Sequence, residues 1–202
     1  DWPFHEALDA LGIKYDLIVW DSDVDWSVYD GCVIRTTWDY MEKQTAFVQW
    51  AQRVGSQIPF FNPPDVIAWN THKTYLRDLE RAGIPIAPTE WMNVGTTADV
   101  ASLLERRGWR RGFIKPQIGA TARETLRFER TPEGLADAQA HLERTLQNES
   151  MMVQPYLSKV ETEGEKSLLF MDGELSHSVQ KQPVAGDYRV QDDFGAKDFP
   201  IE

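Results

Sequence analysis

Cysteine occurs once in 202 residues, at Cys32, so an internal disulfide is excluded and a reducing, cytoplasmic setting is expected. Gly31, Val33 and Ile34 surround that cysteine, and the thiol reads as a packed member of a buried strand rather than as a nucleophile. Histidine is scarce. His5, His72, His141 and His177 have no metal-ligand spacing, and no local Ser/His/Asp or Cys/His signature stands around them. Positive charge is in deficit: 21 Lys and Arg face 32 Asp and Glu, a net charge of -11, which argues against a basic nucleic-acid-binding stripe. No apolar run approaches membrane-spanning length, and no signal-peptide pattern is visible. Neither a Walker-type loop nor a dinucleotide glycine fingerprint is present. The expected partner is therefore a small molecule, not nucleic acid or a membrane.

What the chain has is aromatic weight and a β/α rhythm. Eight tryptophans within a 42% hydrophobic composition imply a real core. Helix over 4–11 with Gly12 as its stop, strand over 15–20, buried strand over 31–35, helix over 42–54 and strand over 58–61 read as alternating α and β, which favours a parallel sheet. Such a unit should open on a strand, and this one opens on a helix, so a leading strand is expected before the first residue. A helix over 71–82 follows, then an extended Ile84–Thr89 in which two prolines forbid helix. The centre reads β-α-β-β-α-β, with strands at 111–115, 124–129 and 150–155 and helices at 97–107 and 132–146. Asp172-Gly173 marks a hairpin between 167–170 and 174–179. A strand over 186–191 and an irregular tail complete the reading.

The chemistry concentrates at a few points. Lys115 ends an apolar run, Gly112-Phe113-Ile114, and precedes Pro116. An ammonium at the end of a buried strand is desolvated unless it meets an anion, and phosphate is a natural partner. Gly119, Ala120 and Thr121 follow, small enough for backbone N–H groups to approach phosphate oxygens, although an ordinary turn has the same composition. Gln154-Pro155-Tyr156-Leu157 leaves a strand at a proline: either a simple strand exit, or an edge that can offer a carbonyl and an N–H to adenine. Glu165 could accept from ribose hydroxyls, whereas Glu161 and Glu163 read as a solvated acidic loop. Lys181 and Arg189, at strand ends, are either surface cations or a clamp on a transferring phosphoryl group. Lys73 is either a solvated helix lysine or a phosphate-facing cation. Arg35, Thr36 and Thr37 follow the second buried strand, where a guanidinium and two hydroxyls can hold a substrate carboxylate or acyl phosphate, unless Trp38 and Tyr40 merely plug a lobe interface there.

Taken in order, Val33-Ile34-Arg35-Thr36-Thr37-Trp38-Asp39-Tyr40, Asn62-Pro63, Trp69 to Leu76, Ile114-Lys115-Pro116, Val153-Gln154-Pro155-Tyr156, Gly164-Glu165-Lys166-Ser167 and Asp187-Tyr188-Arg189-Val190-Gln191 resemble the ATP-grasp superfamily. The nearer likeness is to its bacterial glutathione-synthetase-like branch, which includes the ligase-type enzyme that closes D-cycloserine. The resemblance implies an α/β architecture with an α+β lid: a Rossmann-like lobe over 1–70, a hinge helix and lid over 71–153, and the start of a C-terminal lobe over 154–202. It implies ATP with Mg2+ as cofactors, Lys73 and Lys115 on the phosphates, the loop from Gly119 to Arg123 closing over them, and residues 154–157 on adenine. Glu165 would take the ribose, while Lys181 and Arg189 would face the γ-phosphate and an acyl phosphate. The family's magnesium ligands are expected beyond Glu202, so the polypeptide reads as shortened at both ends and inactive alone. The activity implied is ATP-dependent carboxylate–amine ligation through an acyl phosphate on an amino-acid-like substrate, in a possible homo-oligomer. A non-catalytic ATP-binding module and a generic Rossmann-like domain for another ligand remain the alternatives.

Overall fold

The computed structural model describes residues 2–201. The chain divides into two compact units, one of Asp1–Ile86 with Gln117–Ala120 and one of Ala87–Pro116 with Thr121–Glu202.

The first unit is built on aromatic packing. Helix α1 (Trp2–Ala10) stops before Gly12, whose φ of 68° lies in the left-handed region that glycine adopts without strain. Strand β1 (Cys32–Val33) runs parallel to β2 (Phe60–Phe61). Between them α2 (Gln44–Gly55) buries Phe47, Trp50, Ala51 and Val54, an i, i+3, i+4, i+7 stripe. The stripe packs on Trp20, Trp26, Ile58 and Phe60, with ring centroids 5.2 Å apart for Trp20–Phe47 and 5.4 Å for Trp50–Phe60. Two expectations need correction. Residues 15–20 form no strand: they have no ladder partner among the described residues, and Leu17 and Val19 are exposed. Nor is 71–82 one helix. Pro64 starts α3 (Pro64–Asn70), Thr71–Thr74 turns, and α4 (Tyr75–Arg81) follows. The His72 Nδ1 accepts from the Thr74 backbone N–H at 3.3 Å and lies 2.9 Å from its hydroxyl, which favours the turn over a continuous helix.

The second unit contains the β-α-β-β-α-β unit. Its elements are β3 (Glu90–Met92), α5 (Val100–Arg107), β4 (Arg111–Pro116), β5 (Leu126–Glu129), α6 (Pro132–Thr145) and β6 (Met151–Pro155). The strands form one antiparallel sheet in the order β3-β6-β4-β5. Both helices carry local start signals. Asp99 accepts from the Ser102 N–H at 3.0 Å at the head of α5, and Thr131 from Gly134 N–H at 3.1 Å before Pro132 at the head of α6. The helices cover one face of the sheet, burying Leu103, Leu104, Ile114, Phe128, Leu142, Met151 and Val153. Gly112 lies opposite Phe128 in that face, and a Cβ on Gly112 would come within 2.3 Å of the Phe128 ring.

A short helix α7 (Lys159–Glu163) leads to a second antiparallel sheet of β7 (Glu165–Met171), β8 (Glu174–Gln182) and β9 (Lys197–Ile201). Asp172 and Gly173 both take positive φ, 52° and 81°, as their type I′ turn requires. The expected strand over 186–191 is instead an irregular segment, and the tail expected to be irregular is β9. The reason is local. The Asp187 carboxylate accepts from the Tyr188 and Arg189 backbone N–H groups at 2.7 and 3.0 Å, withdrawing donors a ladder would need.

Candidate functional site

Residues that pair directly across an antiparallel sheet share a face. Phe113 pairs with Gln154 and with Arg127, and Lys115 with Met152. Phe113, Lys115, Arg127, Met152 and Gln154 therefore share the face of the four-stranded sheet turned away from α5 and α6. This is the face on which the sequence places its buried cation.

Lys115 is enclosed there. Burial pushes its ammonium below the ordinary lysine range, against the opposing pull of the Glu165 carboxylate. Its Nζ stands 5.9 Å from the Phe113 ring centroid, and among the described residues it makes no hydrogen bond or ion pair. Glu165 opens β7 and pairs directly with Lys181 of β8, so the two side chains share a face of the second sheet. The structure thus brings Lys115, Glu165 and Lys181 into one neighbourhood.

The 154–157 segment is not the edge strand that its proline suggests. The buried run Met151–Val153 lies between β3 and β4, inside the sheet. An edge appears only at its end. The Tyr156 N–H donates to the Arg111 carbonyl at 3.1 Å, so Tyr156 turns toward β4. By strand alternation, the Pro155 carbonyl and the Leu157 N–H turn the other way, toward β3. There the register of Glu90 with Val153 would next oppose Pro155 with Pro88, and neither proline has an N–H to give. The Leu157 N–H has no acceptor among the described residues. One carbonyl and one N–H, two residues apart, thus project from an open edge. Gln154, nearly fully buried, donates through Nε2 to the Thr89 hydroxyl at 2.8 Å.

Around this edge lies a group that composition did not single out. The Arg127 guanidinium sits 5.4 Å from the centroids of both Tyr156 and Tyr188. It donates to the Glu161 carboxylate at 2.5 Å, and the Tyr156 hydroxyl donates to the same oxygen at 2.5 Å. Phe113 meets Tyr188 edge-on at 5.2 Å. Glu161 is therefore a partnered carboxylate on α7, not part of a solvated acidic loop. The signal was positional: Phe113 and Arg127 are forced onto the Lys115 face by the two-residue period. A cavity of about 530 Å³ opens beside this group, lined by Arg111, Arg127, Glu129, Asp137 and Glu161 among others. Its principal charges neutralise one another, Arg111 with Glu129 at 3.0 Å and Arg127 with Glu161 at 2.5 Å.

The remaining candidates are placed as follows. Lys73 lies in the turn between α3 and α4 rather than inside a helix, because Thr71–Thr74 breaks the expected helix. Its backbone N–H donates to the Gln117 carbonyl at 2.8 Å and its Nζ to the Gly119 carbonyl at 2.5 Å. Thr121, beyond Ala120, takes a positive φ of 51°, and Ala122 and Glu124 follow at 57° and 50°. Three non-glycine residues in this region store strain in the loop. It is pinned by Arg123 on Glu149 and by Glu124 on Arg144, two bidentate pairs. Arg189 is bound to Asp187. Arg35 and Thr36 are exposed, with the Arg35 guanidinium 5.2 Å from the Phe4 ring, and the Thr37 N–H donates to the Arg35 carbonyl at 3.0 Å. No cluster of three or more His, Cys, Asp or Glu able to hold a metal occurs among the described residues, and no helix is long and apolar enough to cross a membrane.

Comparison with known proteins bears on this arrangement. Residues 1–62 match the family described as the N-terminal domain of D-cycloserine synthetase DcsG. The crystal structure of D-cycloserine synthetase DcsG is 30% identical, with a TM-score of 0.84 over 99% of this chain and 69% of that one. The chain belongs to the ATP-grasp superfamily, in the branch of that synthetase. The cycloserine biosynthesis protein DcsG of Streptomyces lavendulae is 34% identical over 185 residues, 89% of this chain. This chain spans 61% of that relative's length. The ATP-grasp ligase PsnB, solved with its minimal precursor, shares the fold at 19% identity, with a TM-score of 0.54 over 86% of this chain and 57% of that one. The α/β fold with its α+β sheet unit is thus that of ATP-grasp proteins.

Proposed function

We propose that the protein is an ATP-dependent carbon–nitrogen ligase acting on an amino-acid-like carboxylate. The observation that carries this is Lys115: an enclosed ammonium with no ion-pair partner among the described residues, on the same sheet as the open Pro155–Leu157 edge and three register positions along from it. A desolvated cation of this kind is stabilised by a polyanion, and a polyphosphate would supply the charge. The Pro155 carbonyl and the Leu157 N–H match the amino group and N1 of adenine, a donor beside an acceptor. Glu165 would accept from the ribose hydroxyls. Lys73, with Gly119, Ala120 and Thr121, would stand on the phosphate side, and Arg35, Thr36 and Thr37 would hold the substrate.

On this reading the reaction has two steps. A substrate carboxylate oxygen attacks the γ-phosphorus, the bond to the bridging oxygen breaks, and ADP leaves with the electron pair. An amine nitrogen then attacks the acyl carbon, phosphate departs with the carbon–oxygen electrons, and the amine loses a proton. Lys115, Lys181 and Arg189 act by positioning and by neutralising charge. Mg2+ would accompany the nucleotide; no three His, Cys, Asp or Glu side chains cluster to hold a metal among the described residues.

The test is ADP release by the intact protein with ATP and a panel of amino acids, in wild type and in Lys115→Ala. Amino-acid-dependent release that the substitution abolishes is expected. Saturable ATP binding without release from any substrate would make the protein a binding module. Undiminished release by Lys115→Ala would remove the lysine from its role.

A further inference from the structure

The segment after β8 holds an arginine whose freedom has been taken away. The Asp187 Oδ1 accepts from the Tyr188 N–H at 2.7 Å, the Arg189 N–H at 3.0 Å and the Arg189 Nε at 3.0 Å. Its Oδ2 accepts from Nη2 at 2.7 Å, which completes a bidentate fork. The guanidinium carbon rests 3.9 Å from the Phe194 ring centroid, so one face of the plane is also covered. Phe194 is itself held in a 3-10 turn, Asp192–Phe194, closed by Gly195 at φ 79°. One edge and one face of the guanidinium are spent, and Nη1 has no acceptor among the described residues. The Asp187 side chain is only 17% exposed, against 38% for Arg189. Neighbouring donors hold the Asp187 carboxyl far below its ordinary range, so the fork stays charged on both sides.

We propose that Asp187 is a positioning residue: it fixes the Arg189 guanidinium so that Nη1 points at an anionic oxygen of the reacting acyl phosphate. This rests on the ligase reading above. The physical reason is pre-organisation. A free arginine must be ordered as it meets its anion, whereas one locked by a carboxylate and an aromatic face needs no ordering. Asp187 also ties this orientation to the backbone, because the same oxygen that binds Nε binds two main-chain N–H groups. Phe194 fixes the tilt and Asp187 the rotation of the guanidinium plane.

The experiment compares wild type, Asp187→Asn and Asp187→Glu in the intact protein, by ADP release, ADP affinity and NMR of the Arg189 Nε–H. In Asp187→Asn, kcat is expected to fall about 100-fold, the scale of a misplaced catalytic group, while ADP affinity changes less than about twofold. Asp187→Glu should recover much of the loss. Guanidinium ion should revive Arg189→Gly when Asp187 is present and fail in the double variant. An Asp187→Asn enzyme with unchanged kcat, or rescue indifferent to residue 187, overturns the proposal. Acetyl phosphate, titrated against the Nε–H signal, separates the two ideas. A shift in wild type that Asp187→Asn abolishes supports the positioning role even in a protein that releases no ADP, where only the ligase reading fails. No shift in an active wild type overturns the positioning role alone.

Discussion

The two faces of the sheet β3-β6-β4-β5 are made of the same strands and have opposite characters. On one, Ile114, Phe128, Met151 and Val153 meet Leu103, Leu104 and Leu142 of the helices and are almost wholly buried. On the other, the alternate residues are Phe113, Lys115, Arg127, Met152 and Gln154, and they meet aromatic rings, carboxylates and an open backbone edge. The first face is buried and apolar; the second is only partly buried, and on it Lys115 forms no ion pair among the described residues while Arg127 and Gln154 have partners. A strand can thus alternate between residues whose partners are on hand and residues whose partner must be bound. The contrast predicts that substitutions on the first face change stability, and those on the second change binding.

Leu142→Ala should break the first face most severely. It should lower stability by about 2–5 kcal/mol in chemical denaturation, the usual range for a buried leucine, and leave the ADP affinity of the folded protein unchanged. Gly112→Ala should cost about 1–3 kcal/mol, because the new methyl meets the Phe128 ring and forces it off its rotamer. Gln154→Leu lies on the second face. It removes the hydrogen bond that Gln154 Nε2 donates to the Thr89 hydroxyl, so stability should fall by about 1 kcal/mol while ADP affinity falls several-fold in calorimetry. Equal effects on binding from Leu142→Ala and Gln154→Leu would erase the distinction between the faces.

Cys32 sharpens the comparison from outside that sheet. Burial raises its thiol from 9.0 to about 11, so the native protein at pH 8 holds about a hundredth of the ordinary thiolate. Alkylation should be correspondingly slow and should accelerate on unfolding. The sign for stability follows. The folded thiol keeps its proton over a range in which the unfolded thiol loses it, so this contribution is full below pH 9 and is lost as the pH rises toward 11.

How far these features were legible in the sequence depends on how local their causes are. The Asp172-Gly173 turn and the β-α-β-β-α-β succession along the chain follow from short-range chemistry. Lys115 was legible because a charge ended an apolar run. The register that carries Pro155 toward Pro88 was not, since it arises only when β3 finds β6 across some sixty residues. The same distance hid the meeting of Arg127, Glu161 and Tyr188. Residues 15–20 have strand composition without a strand, because composition cannot supply the partner a ladder needs. Asp187 misled in the other direction. It lies in a run with strand composition and takes the backbone donors for itself.

Thermal melting of wild type and Lys115→Met, each with and without saturating ATP, tests the central claim most directly. Removing an enclosed ammonium that forms no ion pair among the described residues should leave the nucleotide-free protein as stable as wild type or more so, and should abolish the rise in Tm that ATP gives wild type. A Lys115→Met protein that melts lower without nucleotide, yet still rises with ATP as wild type does, would show that the lysine supports the fold and does not face the phosphates.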